Sequence, residues 1–175
     1  MEIHILRLGH RASRDKRITT HVCLVARAFG AKKAVITGDK DEGIIQSVEK
    51  VVEQWGGDFK AEYAKGWRAV VEDYKKRGFE VIHLTMYGLP IQEVIGEAVK
   101  NGRDKLLVIG GEKVPSELYQ IADKNVAVTN QPHSEISALC IAIDRLHRGG
   151  ELDLKQAGNR LEIVPKKAGK LVVKK

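Results

Sequence analysis

Apolar and polar residues alternate in two rhythms along this chain. Short apolar runs at 2–8, 33–37, 58–63, 79–84, 105–109 and 125–128 have the length of buried strands. Each is followed by a stretch whose apolar residues recur at helical spacing. In 20–29 the face is Val22, Val25, Ala26 and Phe29. In 42–55 it is Ile44, Ile45, Val48, Val51, Val52 and Trp55. A third stretch carries Trp67, Val70, Val71 and Tyr74, a fourth Ile91, Val94, Ile95 and Ala98, and a shorter fifth begins at Pro115. Gly30, Gly56-Gly57, Gly78 and Gly102 close the first four, as glycine does where a helix ends left-handed. Six strand–helix repeats predict an α/β fold, a parallel sheet with helices on both faces.

The sixth helical stretch, 134–148, breaks the pattern by being apolar nearly all round. Ile136, Ala138, Leu139, Cys140, Ile141, Ala142, Ile143 and Leu146 leave it little polar surface. One side can face the sheet, and the other is expected to meet a second subunit, making the protein a homodimer through this helix. After Gly149-Gly150 the pattern changes again. Two short apolar runs, 161–164 and 171–173, flank the basic turn PKKAGK and suggest a β-hairpin. Residues 1–150 are therefore read as one α/β domain and 151–175 as a basic C-terminal extension.

Proline placement adds a candidate site. Three of the four prolines, Pro90, Pro115 and Pro132, lie in polar loops that join a strand to a helix. Proline suits the first turn of a helix, having no N–H to satisfy and a φ already helical. Three such turns would line up along one edge of a parallel sheet, the edge where open α/β folds bind small ligands.

Charge placement points to the partner. The net charge of +7 divides into +6 over residues 1–33, −5 over 34–154 and +6 over 155–175. Basic residues confined to the two ends suit a polyanion, most simply nucleic acid. No apolar run approaches the roughly 20 residues of a membrane span, and the N-terminus lacks the pattern of a signal peptide. Cys23 and Cys140 sit in helical patterns without CxxC spacing, which suits buried thiols in a reducing, cytoplasmic compartment and no metal site.

Several chemistries are excluded. GxGxxG does not follow the first strand, and neither GxxxxGK[ST] nor GxSxG occurs, which removes the usual nicotinamide, P-loop and hydrolase signatures. What remains is in the loops. Gly110-Gly111-Glu112 follows a buried strand, where two glycines permit close approach of a ligand and the carboxylate offers an acceptor. Asn130 to Glu135 gathers amide, imidazole, hydroxyl and carboxylate groups at a helix start. The loop 9–20, GHRASRDKRITT, carries Arg11, Arg14, Lys16 and Arg17 against Asp15. Arginine forks suit phosphate oxygens, so these four are candidate RNA ligands.

Taken together, RLGHR, RDKR, TTHV, ARAFGA, GGEKVP and NQPHSE resemble the signatures of the archaeal-type tRNA cytidine 2′-O-methyltransferases, a family of the SPOUT superfamily that modifies position 56 in the T-loop. The resemblance runs from about residue 5 to 147 and is tightest in the last two motifs. It implies a SPOUT fold with a deep trefoil knot in the C-terminal half, S-adenosylmethionine as cofactor, tRNA as substrate and an active site shared across a homodimer. Carried over by position, the cofactor would meet Leu84 in the first loop and Gly110, Gly111, Glu112, Lys113 and Val114 in the second. The third loop would supply Val128, Thr129, Asn130, Gln131, Pro132, His133, Ser134 and Glu135. The superfamily's usual Ser and Asn fall near His133–Glu135 here. Arg27 corresponds to the motif-one arginine and would stabilise charge on the 2′-oxygen, with His21 or His10 as proton acceptor. Competing readings are an RNA-binding protein without catalysis, an α/β enzyme acting on an anionic metabolite, and a SPOUT enzyme acting on another RNA position or on a base.

Overall fold

The computed structural model describes residues 1–111 and 113–175. Six parallel strands form one sheet: β1 (Ile3–His10), β2 (Lys33–Gly38), β3 (Lys60–Tyr63), β4 (Glu80–Pro90), β5 (Lys105–Ile109) and β6 (Lys124–Ala127). Their order across the sheet is β3-β2-β1-β5-β4-β6. Between them run α1 (Lys16–Ala28), α2 (Glu42–Trp55), α3 (Trp67–Lys76), α4 (Ile91–Lys100), α5 (Ser116–Ile121) and α6 (Glu135–His147).

Side chains alternate across the sheet with period two, and the core divides accordingly. Ile3, Ile5, Ile82, Leu84, Leu107 and Ile109 face one way, against α1, α2, α4 and α6. Leu6, Leu8, Val81, Leu106 and Val108 face the other, against α3 and α5. Because β1 and β5 are neighbours whose following helices leave to opposite faces, the chain parts at their C-terminal ends. A crevice opens there by topology alone.

Three elements differ from the periodicity. Helix α1 starts at Lys16, four residues before the stretch 20–29 expected from the periodicity, so Lys16 and Arg17 stand on its first turn and not in the loop. The chain tightens into that turn through Asp15 N–H to Arg11 C=O, 2.8 Å, and the Asp15 carboxylate grips Arg11. Strand β4 runs on to Pro90 because Leu89 and Pro90 rejoin the ladder: Leu84 and Leu89 both stand opposite Val126, and 85–88 bulge out between them. Pro90 and Pro115 sit one position before their helices, at N-caps with extended ψ near 130°.

Helix α6 is covered by its own chain on more than the sheet side. Ala138, Leu139, Ala142, Ile143 and Leu146 are buried, because α1 and α4 pack beside it as well as the sheet beneath. Of its large apolar residues only Ile141 is exposed, with Cys140 half-buried. Past α6 a short 3-10 turn (Gly150–Asp153) leads to β7 (Leu161–Ile163) and β8 (Val172–Lys174), which pair antiparallel. The segment between folds back onto the end of α2. Gly57 N–H donates to Ala157 C=O at 2.8 Å and Arg160 N–H to Gln54 C=O at 3.0 Å. At Gly56 (φ 78°) a Cβ would lie 2.5 Å from Ala157 O, so only glycine lets the two backbones meet. No helix among the described residues is long and apolar enough to cross a membrane.

Candidate active site

The crevice at the ends of β1, β4 and β5 holds a cavity of about 610 Å³, within the range of small-ligand sites. Its walls come from the three proline-bearing loops and from the start of α1. Of the expected cofactor residues, Leu84, Gly110, Gly111, Val114, Pro132, His133 and Glu135 line it. Arg11 and Arg14 of the basic loop line it too, while Lys16 and Arg17 lie on the adjoining turn of α1, exposed and outside the cavity.

The other expected residues serve at one remove. Ser134 caps α6, accepting from Ile136 N–H at 3.2 Å. The Asn130 amide donates to Met86 C=O at 2.7 Å and Gly88 C=O at 3.2 Å, tying the third loop to the bulge of β4. His133 Nδ1 donates to Gln131 C=O at 2.6 Å, which leaves Nε2 as the acceptor of that ring. Val128, Thr129 and Gln131 frame this loop without lining the cavity, and Lys113 is exposed beside it. Glu112 lies outside the described residues.

The cavity also recruits residues the motifs did not flag. Arg7, on β1, is 1% exposed. Its Nη1 donates to Leu8 C=O at 2.9 Å and Nη2 approaches Glu135 Oε1 at 3.3 Å, while Nε has no partner among the described residues. Burial pulls its pKa down and Glu135 pushes back, so the carboxylate keeps this charge affordable inside the protein. An arginine inside the apolar run IHILRL was the available signal, since a strand position facing the core carries a charge only with a partner waiting.

His83 is fully buried in the same wall. The Asn125 amide donates to Tyr119 C=O at 2.8 Å, which turns its oxygen toward His83 Nδ1, also 2.8 Å away. His83 therefore carries its proton on Nδ1 and presents Nε2 as an acceptor with no partner among the described residues. Burial lowers its pKa, which keeps the ring neutral.

The two expected catalytic residues are elsewhere. His21 is exposed on α1, outside the cavity. Arg27 stands in the last turn of α1, 8% exposed, with Nη2 donating to Gly56 C=O at 2.6 Å. Gln156 of the tail donates to the Arg27 carbonyl at 3.2 Å. The cavity opens beside the first turn of this helix, and thirteen residues span about 20 Å. His10, the other imidazole considered, is buried against Thr19 Oγ1 at 2.9 Å, and burial lowers its pKa.

Comparisons with known proteins identify the fold and the family. A family model described as tRNA ribose 2′-O-methyltransferase, aTrm56, matches residues 55–173. The tRNA (cytidine(56)-2′-O)-methyltransferase of Methanothermobacter thermautotrophicus is 51% identical over 98% of this chain and 96% of its own length. That of Thermococcus kodakarensis is 50% identical over 98% and 96%. Among solved structures, the A. aeolicus TrmH/SpoU tRNA modifying enzyme superposes with a TM-score of 0.61 at 18% identity, covering 86% of this chain and 75% of that one. The SpoU methyltransferase AviRb from Streptomyces viridochromogenes, in complex with AdoMet, gives 0.60 at 14% identity, over 83% and 56%. The fold is thus that of the SpoU/TrmH branch of SPOUT enzymes, and by sequence the chain belongs to the archaeal tRNA ribose 2′-O-methyltransferase family.

Proposed function

We propose that this chain methylates the ribose 2′-hydroxyl of cytidine 56 in the T-loop of tRNA, with S-adenosylmethionine as methyl donor. The observation that carries it is one cavity bounded by the three proline-bearing loops, with Arg11 and Arg14 on its wall. A wall of backbone loops, with Gly111 leaving room beside Arg7, suits a nucleoside cofactor. When bound, S-adenosylmethionine supplies an electrophilic methyl on a sulfonium.

The chain's own residues then have three tasks. Leu84, Gly110, Gly111, Val114 and Pro132 would hold the cofactor and exclude water. Arg11 and Arg14 would hold a backbone phosphate and stabilise charge as it develops on the 2′-oxygen, a role that needs a guanidinium at the cavity. His133 would take the hydroxyl proton on Nε2, the nitrogen its bond to Gln131 leaves as acceptor. Alignment of the 2′-oxygen with the methyl supplies much of the remaining rate.

This assignment moves the catalytic work from Arg27 and His21 to the start of α1 and the third loop. Within one subunit Arg27 is committed to Gly56, and to act it would have to leave that bond and reach a neighbour's cavity. The trefoil knot rests on the family resemblance, the homodimer through 134–148 on that resemblance and the apolar helix, the division near residue 150 on the change of pattern there, and RNA contacts by Lys16 and Arg17 on charge placement. The test is mass spectrometry of nuclease fragments from tRNA incubated with the protein and S-adenosylmethionine. A mass gain of one methyl group on the ribose of cytidine 56 is expected. A methyl on a base, at another nucleotide, or nowhere overturns the proposal.

A further inference from the structure

Tyr87 is 75% exposed at the mouth of the cavity, and Leu89 beside it is 60% exposed. Exposed aromatics are common on mobile loops, but this one is held. The four bulged residues of β4 leave and rejoin the ladder opposite the same residue, Val126. Asn130 ties down the carbonyls on either side of Tyr87, those of Met86 and Gly88. Thr85 Oγ1 meets the Tyr119 hydroxyl at 3.3 Å. Gly88 lies so close to β6 that a Cβ there would sit 2.5 Å from the backbone of Asn125 and Val126. The loop is anchored to β6 at Gly88 and to the third loop through Asn130, and the ring projects from a fixed base.

A 2′-hydroxyl reaches the floor of a cavity only if its nucleotide leaves its stacked neighbours. The ribose enters, and the base stays at the rim with one or both faces bare. An aromatic ring is the surface that recovers the lost stacking, and it does so for any base. We propose that Tyr87 is the stacking platform for the base of the nucleotide being methylated, with Arg11 and Arg14 engaging the phosphate from the same cavity. This rests on the functional reading above. It also assigns the discrimination of one nucleotide to the shape of the tRNA around it, because a stacking ring is indifferent to base identity.

Tyr87→Ala, Tyr87→Phe and Tyr87→Trp separate this role from others. Tyr87→Ala should raise the tRNA KM roughly tenfold or more, with S-adenosylmethionine affinity by calorimetry and the sedimentation coefficient both unchanged. Tyr87→Phe should restore the KM to within about threefold of wild type, since the π-face is kept. Tyr87→Trp should add emission, over that of the two native tryptophans, which tRNA quenches and S-adenosylmethionine alone does not. If Tyr87→Ala weakens the cofactor as much as the tRNA, the ring is a cofactor lid. If it changes the sedimentation, the ring is a subunit contact. If it leaves the tRNA KM alone, the ring has no part in binding. Each of these overturns the platform while wild-type turnover upholds the enzyme. Wild-type protein that neither binds the cofactor nor methylates tRNA overturns the functional reading, and the platform with it.

Discussion

Arginines at the two ends of helix α1 have different surroundings. Before its first turn, Arg11 and Arg14 line the cavity, Arg11 held in a fork by the Asp15 carboxylate at 2.9 and 3.1 Å. In its last turn Arg27 is buried, its guanidinium donating to the Gly56 carbonyl at the C-cap of α2 and its own carbonyl accepting from the tail. The residue type is the same, but the loop before the helix and its last turn give it different surroundings. In a parallel α/β sheet every helix begins at the edge where the strands end, so the first turn looks onto the ligand crevice and the last turn looks onto the opposite edge. A motif match transfers a residue type to a sequence position. It does not say which end of the helix the chemistry occupies.

The sharpest way to break this comparison is to remove one arginine from each end. Arg14→Ala should lower kcat for methyl transfer by roughly 100-fold or more, the usual cost of losing a donor that stabilises developing negative charge. Its melting temperature should stay within about 2 °C of wild type, because an exposed side chain contributes little to stability. Arg27→Ala should do the reverse. It strands the Gly56 carbonyl and should cost about 1–3 kcal/mol. For a chain of this length that is a fall of roughly 3–10 °C in melting temperature. Turnover per folded molecule should stay within about threefold of wild type. If Arg27→Ala instead abolishes turnover without a change in melting temperature, Arg27 acts in a neighbouring subunit's cavity and the comparison fails.

How much of this could be read beforehand follows the same division. The six strands, the helices between them and the loops that form the crevice were legible, because burial on both faces leaves continuous apolar runs and because Pro90, Pro115 and Pro132 punctuate the right junctions. Leu84, Gly110, Gly111, Val114, Pro132, His133 and Glu135 converge on the cavity as their loop positions required. Contacts between residues distant in sequence were not legible. Arg7 meets Glu135 across the site, Asn125 sets the proton of His83 from the neighbouring strand, and Asn130 clasps the β4 bulge. Each depends on β6 lying beside β4 and not beside β5, an order that no periodicity encodes. The all-round apolar α6 has a related ambiguity. A pattern reports how many sides of a helix are covered, and here α1 and α4 of the same chain do much of the covering.

The smallest expected effect tests whether the Arg27 end is one structural unit. Three contacts close a ring there: the Arg27 side chain to Gly56, Gly57 N–H to Ala157, and Gln156 to the Arg27 carbonyl. Gln156→Ala removes one hydrogen bond and should cost about 1 kcal/mol, or roughly 2–4 °C in melting temperature. Taken alone that number is ordinary for a partly buried bond. Its value lies in combination with Arg27→Ala. If the tail is held because Arg27 fixes the end of α2, the tail is already loosened once Arg27 is gone, and Gln156→Ala should then cost less than it does in the wild type. A double-mutant cycle should therefore show coupling of at least about 0.5 kcal/mol, above the scatter of independent sites. Strict additivity would mean that the tail docks on α1 and α2 without help from the arginine. Arg27 would then have no structural partner beyond Gly56, and the case for reading it as a scaffold residue would rest on that one carbonyl.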